Sequence, residues 1–137
     1  MKKVEVDQRS IIVLRVMLSG IFLVAGVNHV VFPRHVASRL MQSAVYENVL
    51  YFMNAEMLVI ATGIGLLAGG ILLLLNIYSR HAAILLLLLI IPITISVQLQ
   101  GWSTSGPLFK NVAIAGGLLF FILNNFKSKE LKYESKA

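Results

Sequence analysis

The chain contains no cysteine, and that absence removes several chemistries at once. A structural disulfide, a dithiol redox motif, a Cys-ligated zinc site and a Cys-held iron–sulfur cluster are all excluded. Charge is also scarce: 13% of the residues are Asp, Glu, Lys or Arg, where about 25% is usual for a soluble domain. Only six residues are acidic against twelve Lys and Arg. Histidine is rare too, and no His/carboxylate spacing has the form of a zinc site. A haem held between two helices would need two histidines at one depth, whereas His29 and His81 belong to opposite ends of their segments.

What fills the chain instead is apolar. Hydrophobic residues make up 58% of the 137, and the mean hydropathy is +0.83. About 20 residues at roughly 1.5 Å each cross a hydrocarbon layer of about 30 Å. Backbone groups in lipid have to pair within their own segment, so such runs form helices. Four runs meet the requirement: 11–32, 49–75, 82–99 and 108–123. The expected fold is therefore all-α, a polytopic membrane protein built as an antiparallel bundle of four transmembrane helices. Residues 1–124 form a single domain, and 125–137 a polar tail. The first run is too long for a signal peptide and has no small-residue cleavage site at its end. Pro33 closes it, and "RHVASRLMQSAVYE" after it is read as a short surface helix. Pro92 is expected to bend the third span by removing a ladder hydrogen bond.

Lys and Arg in the connections set the orientation. Lys2, Lys3, Arg9, Arg80, Lys127, Lys129, Lys132 and Lys136 lie on one side, and Arg34, Arg39 and Lys110 on the other. Eight against three places both termini in the cytoplasm. The net charge of +6 is explained by this asymmetry, so no nucleic-acid partner is expected.

The polar residues inside the spans fall on helical stripes. Arg15, Ser19, Phe22, Gly26 and His29 step by four, three, four and three along the first. Glu56, Gly63 and Gly70 are seven apart on the second, as are Lys110, Gly117 and Asn124 on the fourth. Thr94 and Gln98 are four apart on the third. Small residues on such stripes let membrane helices approach closely, and Gly65 and Gly69 are read the same way. In the deduced orientation His29, Asn54, Glu56, Gln98, Lys110 and Asn111 all belong to the outer half, where one polar cluster can form. Arg15 is a buried charge about 20 Å below His29.

Each of these residues has a plainer role beside the functional one. Lys110 either snorkels to nearby headgroups or pairs with Glu56. Glu56, about two turns inside a span beginning at Val49, is either protonated and packed or handles a proton. Arg15 is a cytoplasmic anchor or an interior charge, and His29 an interfacial residue or a ligand group. The asparagines can simply link helices, and Trp102, Tyr46 and Tyr51 suit the interfacial belt.

The segments "LRVMLSGIFLVAGVNHV" at 14–30, "AEMLVIATGIGLLAGG" at 55–70 and "KNVAIAGGLLF" at 110–120 together resemble the DoxX family of small four-helix bacterial membrane proteins. The resemblance places that family's polar positions at Arg15, His29, Glu56, Lys110 and Asn111. It implies a location in the bacterial cytoplasmic membrane and an association with quinone-linked oxidoreductase assemblies. On that basis the chain is expected to be an accessory subunit with a redox partner. His29, Glu56, Gln98, Lys110 and Asn111 form its quinone pocket; no cofactor is covalently bound and no metal is held. A non-catalytic assembly protein and a small transporter of lipophilic solutes are the alternatives. Homo-oligomerisation is left open, and no residue is assigned a catalytic step.

Overall fold

The computed structural model describes residues 6–98 and 105–124. Five α-helices account for most of them: α1 (Gln8–Val31), α2 (Pro33–Met41), α3 (Ala55–Leu74), α4 (Ser79–Gln98) and α5 (Ser105–Leu123). A short π-helical turn, Tyr46–Leu50, precedes α3. The four long helices form an antiparallel bundle, and α2 is the surface helix expected between the first two.

Local chemistry sets the helix limits. Asp7 caps α1 by accepting a hydrogen bond from the Arg9 backbone N–H at 3.0 Å. Pro33 ends α1 and then starts α2, at a first-turn position where its fixed φ and missing N–H carry no cost. The main difference from expectation is at α3. It starts at Ala55 rather than Val49, because the Asn54 side chain accepts from the N–H groups of Glu56 and Met57. The preceding turn is held by Tyr46, whose hydroxyl donates to the Met53 carbonyl at 2.8 Å. Between α3 and α4 the Ser79 hydroxyl donates to the Asn76 side-chain oxygen at 2.6 Å. The helical run of α4 continues through Pro92, whose exposed position faces away from the bundle.

Helices α1, α3 and α5 are each long and apolar enough to cross a membrane. For α4 the fully described part, Ser79–Ile95, is a slightly shorter apolar helix. Only 28%, 33% and 22% of the three spans is buried within the protein, so most of their apolar surface faces outward. Met17, Val24, Leu88 and Val112 are examples of large exposed apolar side chains. In water a patch on this scale would drive aggregation; in lipid it is the normal exterior. The chain is a multi-pass membrane protein.

Around the bundle α1 packs on α3, α3 on α4 and α4 on α5; the seam that closes α5 back onto α1 is the thinnest. Leu18, Phe22, Leu66, Leu86, Leu118 and Phe121 form the central core. Helix α2 rests on the start of α3 through Ala37 and Leu40, against Ala55 and Val59.

The glycine stripes mark the tightest seams. A Cβ on Gly63 would lie 2.7 Å from the Cβ of His29 and 3.1 Å from the Gly26 carbonyl oxygen. A Cβ on Gly26 would lie 3.0 Å from the Gly63 carbonyl oxygen. The α1–α3 crossing therefore depends on both positions. Gly65 and Gly69 face the other way, towards Leu89 and Leu86 of α4. Arg15, Ser19, Phe22 and Gly26 are buried on one face of α1, with His29 half-buried at its end. On α5 the buried line is Asn111, Ile114, Leu118 and Phe121 rather than the stripe through Lys110 and Gly117, because the bulky apolar side chains fill the core.

Gly63→Ala should force α1 and α3 apart and lower stability by about 1–3 kcal/mol. Gly116→Ala, at a position with open space around it, should leave stability nearly unchanged. Thermal unfolding of the two variants in detergent measures the contrast.

Candidate functional site

A cleft of about 750 Å³ lies between α1, α4 and α5, with α2 along one side. It sits at the end of the bundle formed by the last turns of α1 and the first turns of α5. Its floor and walls are apolar and include Phe22, Ala25, Leu66, Ile90, Ile93 and Ile114. Asn28, His29, His35, Arg39, Lys110 and Asn111 supply the polar lining. Among the described residues that lining holds a lysine, an arginine and two imidazoles, but no carboxylate.

Helical register fixes how His29 can act. Its Nδ1 lies 2.7 Å from the Ala25 carbonyl, one turn earlier on α1. A carbonyl only accepts, so Nδ1 carries the hydrogen and, in the neutral ring, Nε2 is left as an acceptor. A donor at Nε2 requires the imidazolium form. Asn111, buried at the start of α5, donates from Nδ2 to the Thr94 hydroxyl of α4 at 2.9 Å. Thr94 in turn donates to the Ile90 carbonyl at 2.7 Å. This relay ties α5 to α4 directly beneath the cleft and fixes the backbone that carries Lys110. Lys110 itself is exposed and lines the cleft, with no hydrogen bond or ion pair to other described residues.

The residues singled out in the sequence thus divide. His29, Lys110 and Asn111 come together at the cleft. Glu56 does not: it lies in the first turn of α3, 48% exposed, and its Oε1 is 3.5 Å from Nε of Arg34 on α2. The expected burial of Glu56 two turns deep is therefore corrected by the later start of α3, and its partner is Arg34 rather than Lys110. Gln98 ends α4, and its side chain falls outside the described residues, as do Trp102 and the 125–137 tail. Arg15 is buried and is not part of the cleft lining. The sequence reading missed His35 and Arg39. Their four-residue spacing on an amphipathic nine-residue helix was the available signal. No group of three or more metal-ligating side chains occurs among the described residues.

The Arg34–Glu56 pair is solvent-accessible, so it contributes at most about 1 kcal/mol. Glu56→Gln should accordingly change the thermal midpoint little. Thr94→Val, which breaks the α4–α5 relay, should cost about 1 kcal/mol. Thermal unfolding in detergent should show the second variant as the weaker protein.

Nothing matches this chain among curated proteins or among solved structures. The family model described as DoxX does match, over residues 10–99, from the first turn of α1 to the end of α4. Lys110 and Asn111 on α5 lie beyond that match, which includes Arg15, His29 and Glu56. With most of its length so matched, the chain belongs to the DoxX family.

Proposed function

We propose that the cleft binds the head group of a membrane quinone and that the chain is an accessory subunit of a quinone-linked oxidoreductase. The observation that carries this reading is the cleft itself: an apolar slot in a membrane bundle, with hydrogen-bonding groups contributed by α1, α2 and α5. Such a slot suits a flat, weakly polar ring attached to an apolar tail. Lys110 is the natural donor to a ring oxygen. His29, held by Ala25, presents Nε2 to accept from a hydroxyl, and once protonated it can donate instead. The proton role first considered for Glu56 therefore passes to His29, since Glu56 is outside the lining.

A quinone supplies two-electron, two-proton chemistry when bound; the electrons would be exchanged with a partner subunit. The charge asymmetry of the connections supports an orientation with both termini in the cytoplasm and the cleft towards the exterior face of the cytoplasmic membrane. A purely structural role is the second reading, favoured by the Asn111–Thr94 relay and the glycine seams, which fix helix register without any ligand.

Short-chain ubiquinone and menaquinone analogues should raise the thermal midpoint of the purified protein. Lys110→Met and His29→Phe should each weaken the half-saturation concentration by about tenfold, the loss of one good hydrogen bond to a charged or polar group. A midpoint insensitive to either quinone, together with native membranes that yield no co-purifying redox protein, would leave the structural role standing.

A further inference from the structure

A second pair of buried polar residues lies in the other half of the bundle, between α1 and α5. Arg15 retains 8% of its surface and Ser19 none, yet neither Arg15 Nε nor Ser19 Oγ has a hydrogen-bond partner among the described residues. The two are four apart on the same face of α1. The Arg15 guanidinium carbon lies 5.5 Å from the ring centroid of Phe121, near the end of α5. Thr62 and Thr94, in other spans, donate their hydroxyls to the carbonyl one turn back. Ser19 does not, although that bond is the usual resort of a helical hydroxyl in an apolar setting. Arg34–Glu56 is the ion pair among the described residues, so no carboxylate there neutralises Arg15. A largely buried ionised group of this kind in a membrane protein normally has a counter-charge.

We propose that Arg15 is the centre of a binding site for an anionic glycerophospholipid, seated where α5 meets α1. The phosphate takes the terminal nitrogens of the guanidinium, which are not among the closed-off atoms, while Ser19 lies fully buried one turn deeper. Three features favour a lipid over other anions. The site is close to the membrane surface: Phe121 is two residues from the end of α5, and Arg15 is about 10 Å along α1 from Gln8. Side chains on a helix lean towards its N-terminus, which brings the guanidinium towards the headgroups. The α1–α5 seam is the thinnest in the bundle. The flanking sequence is also basic, with Lys2, Lys3, Arg9, Arg80, Lys127, Lys129, Lys132 and Lys136 against Glu5, Asp7, Glu130 and Glu134. Basic pockets between helices at a membrane surface attract anionic headgroups in this way. About 21 Å along α1 separates Arg15 from His29, so this site is distinct from the cleft.

The test uses the full chain, purified, stripped of lipid and supplied with phosphatidylglycerol or phosphatidylcholine. Phosphatidylglycerol should raise the thermal midpoint by several degrees more than phosphatidylcholine. Native mass spectrometry should show one retained phosphatidylglycerol. Both effects should be lost in Arg15→Gln, largely kept in Arg15→Lys and unchanged in Lys110→Met. If Arg15→Gln does not fold, Arg15→Lys still decides the question: it should retain phosphatidylglycerol in preference to phosphatidylcholine, and loss of that preference with the charge kept would overturn the proposal. Equal responses to the two lipids would overturn the proposal. So would a phosphatidylglycerol response that survives Arg15→Gln but falls when Lys127 and Lys129 are neutralised. A membrane protein that co-purifies through Arg15 without lipid dependence would overturn it too, by assigning the missing charge to that partner.

Discussion

The α1–α3 crossing at Gly26 and Gly63 is the contact on which the remaining geometry depends. Lipid tails are as apolar as leucine, so burial of apolar surface does little to draw helices together in a bilayer. Close packing has to do it, and close packing needs a backbone with nothing between it and its neighbour. Here each glycine lies under the carbonyl of the other, and the His29 Cβ occupies the space that a side chain on Gly63 would need. The same crossing therefore joins two helices and sets the position of an imidazole. Through Gly65 and Gly69 the opposite face of α3 admits Leu89 and Leu86, which makes α3 the helix on which α1 and α4 are both registered.

From that arrangement the cleft follows. With α1 and α4 both fixed on α3, α5 packs mainly against α4 and closes only loosely on α1. At the end carrying α2 the gap is left open and lined by side chains from α1, α2, α4 and α5. The Asn111–Thr94 bond keeps α5 from drifting there, and a hydrogen bond is the appropriate device because it is directional where lipid-facing leucines are not. Helix α2 then brings His35 and Arg39 to the same space, so cations arrive from two directions.

The ionisable groups are sorted by where each can find a partner. Arg34 and Glu56 meet at the surface, where α2 overlies the first turn of α3. Asp7 is occupied in capping α1. Two of the described carboxylates are thus used at helix ends, and the third, Glu47, is exposed in the π-helical turn. Lys110 at one end of the bundle and Arg15 at the other remain without an acidic neighbour among the described residues. A basic lining at one end and, in the other half, a guanidinium without a counter-charge among the described residues leave the protein with two positions suited to acceptor or anionic groups from outside the chain.

Apolar run length, proline and cap residues carried most of the architecture in a form that could be read directly, because a bilayer allows few alternatives to the helix. Four long helices, the surface helix after Pro33, the buried face of α1 and the DoxX resemblance were all legible in this way. The start of α3 was not, since Val49 to Met53 are as apolar as a span and only the Asn54 cap ends their claim to it. That single shift moved Glu56 from the interior to the surface and gave it Arg34. Periodicity likewise places Lys110 and Asn111 side by side, but only the packing of α5 on α4 decides that Asn111 turns inward while Lys110 meets the cleft. Sequence determines which groups must be desolvated when a helix enters lipid; which of them then meet is decided by helix crossings, where a change of one residue in register rotates a side chain by about 100°.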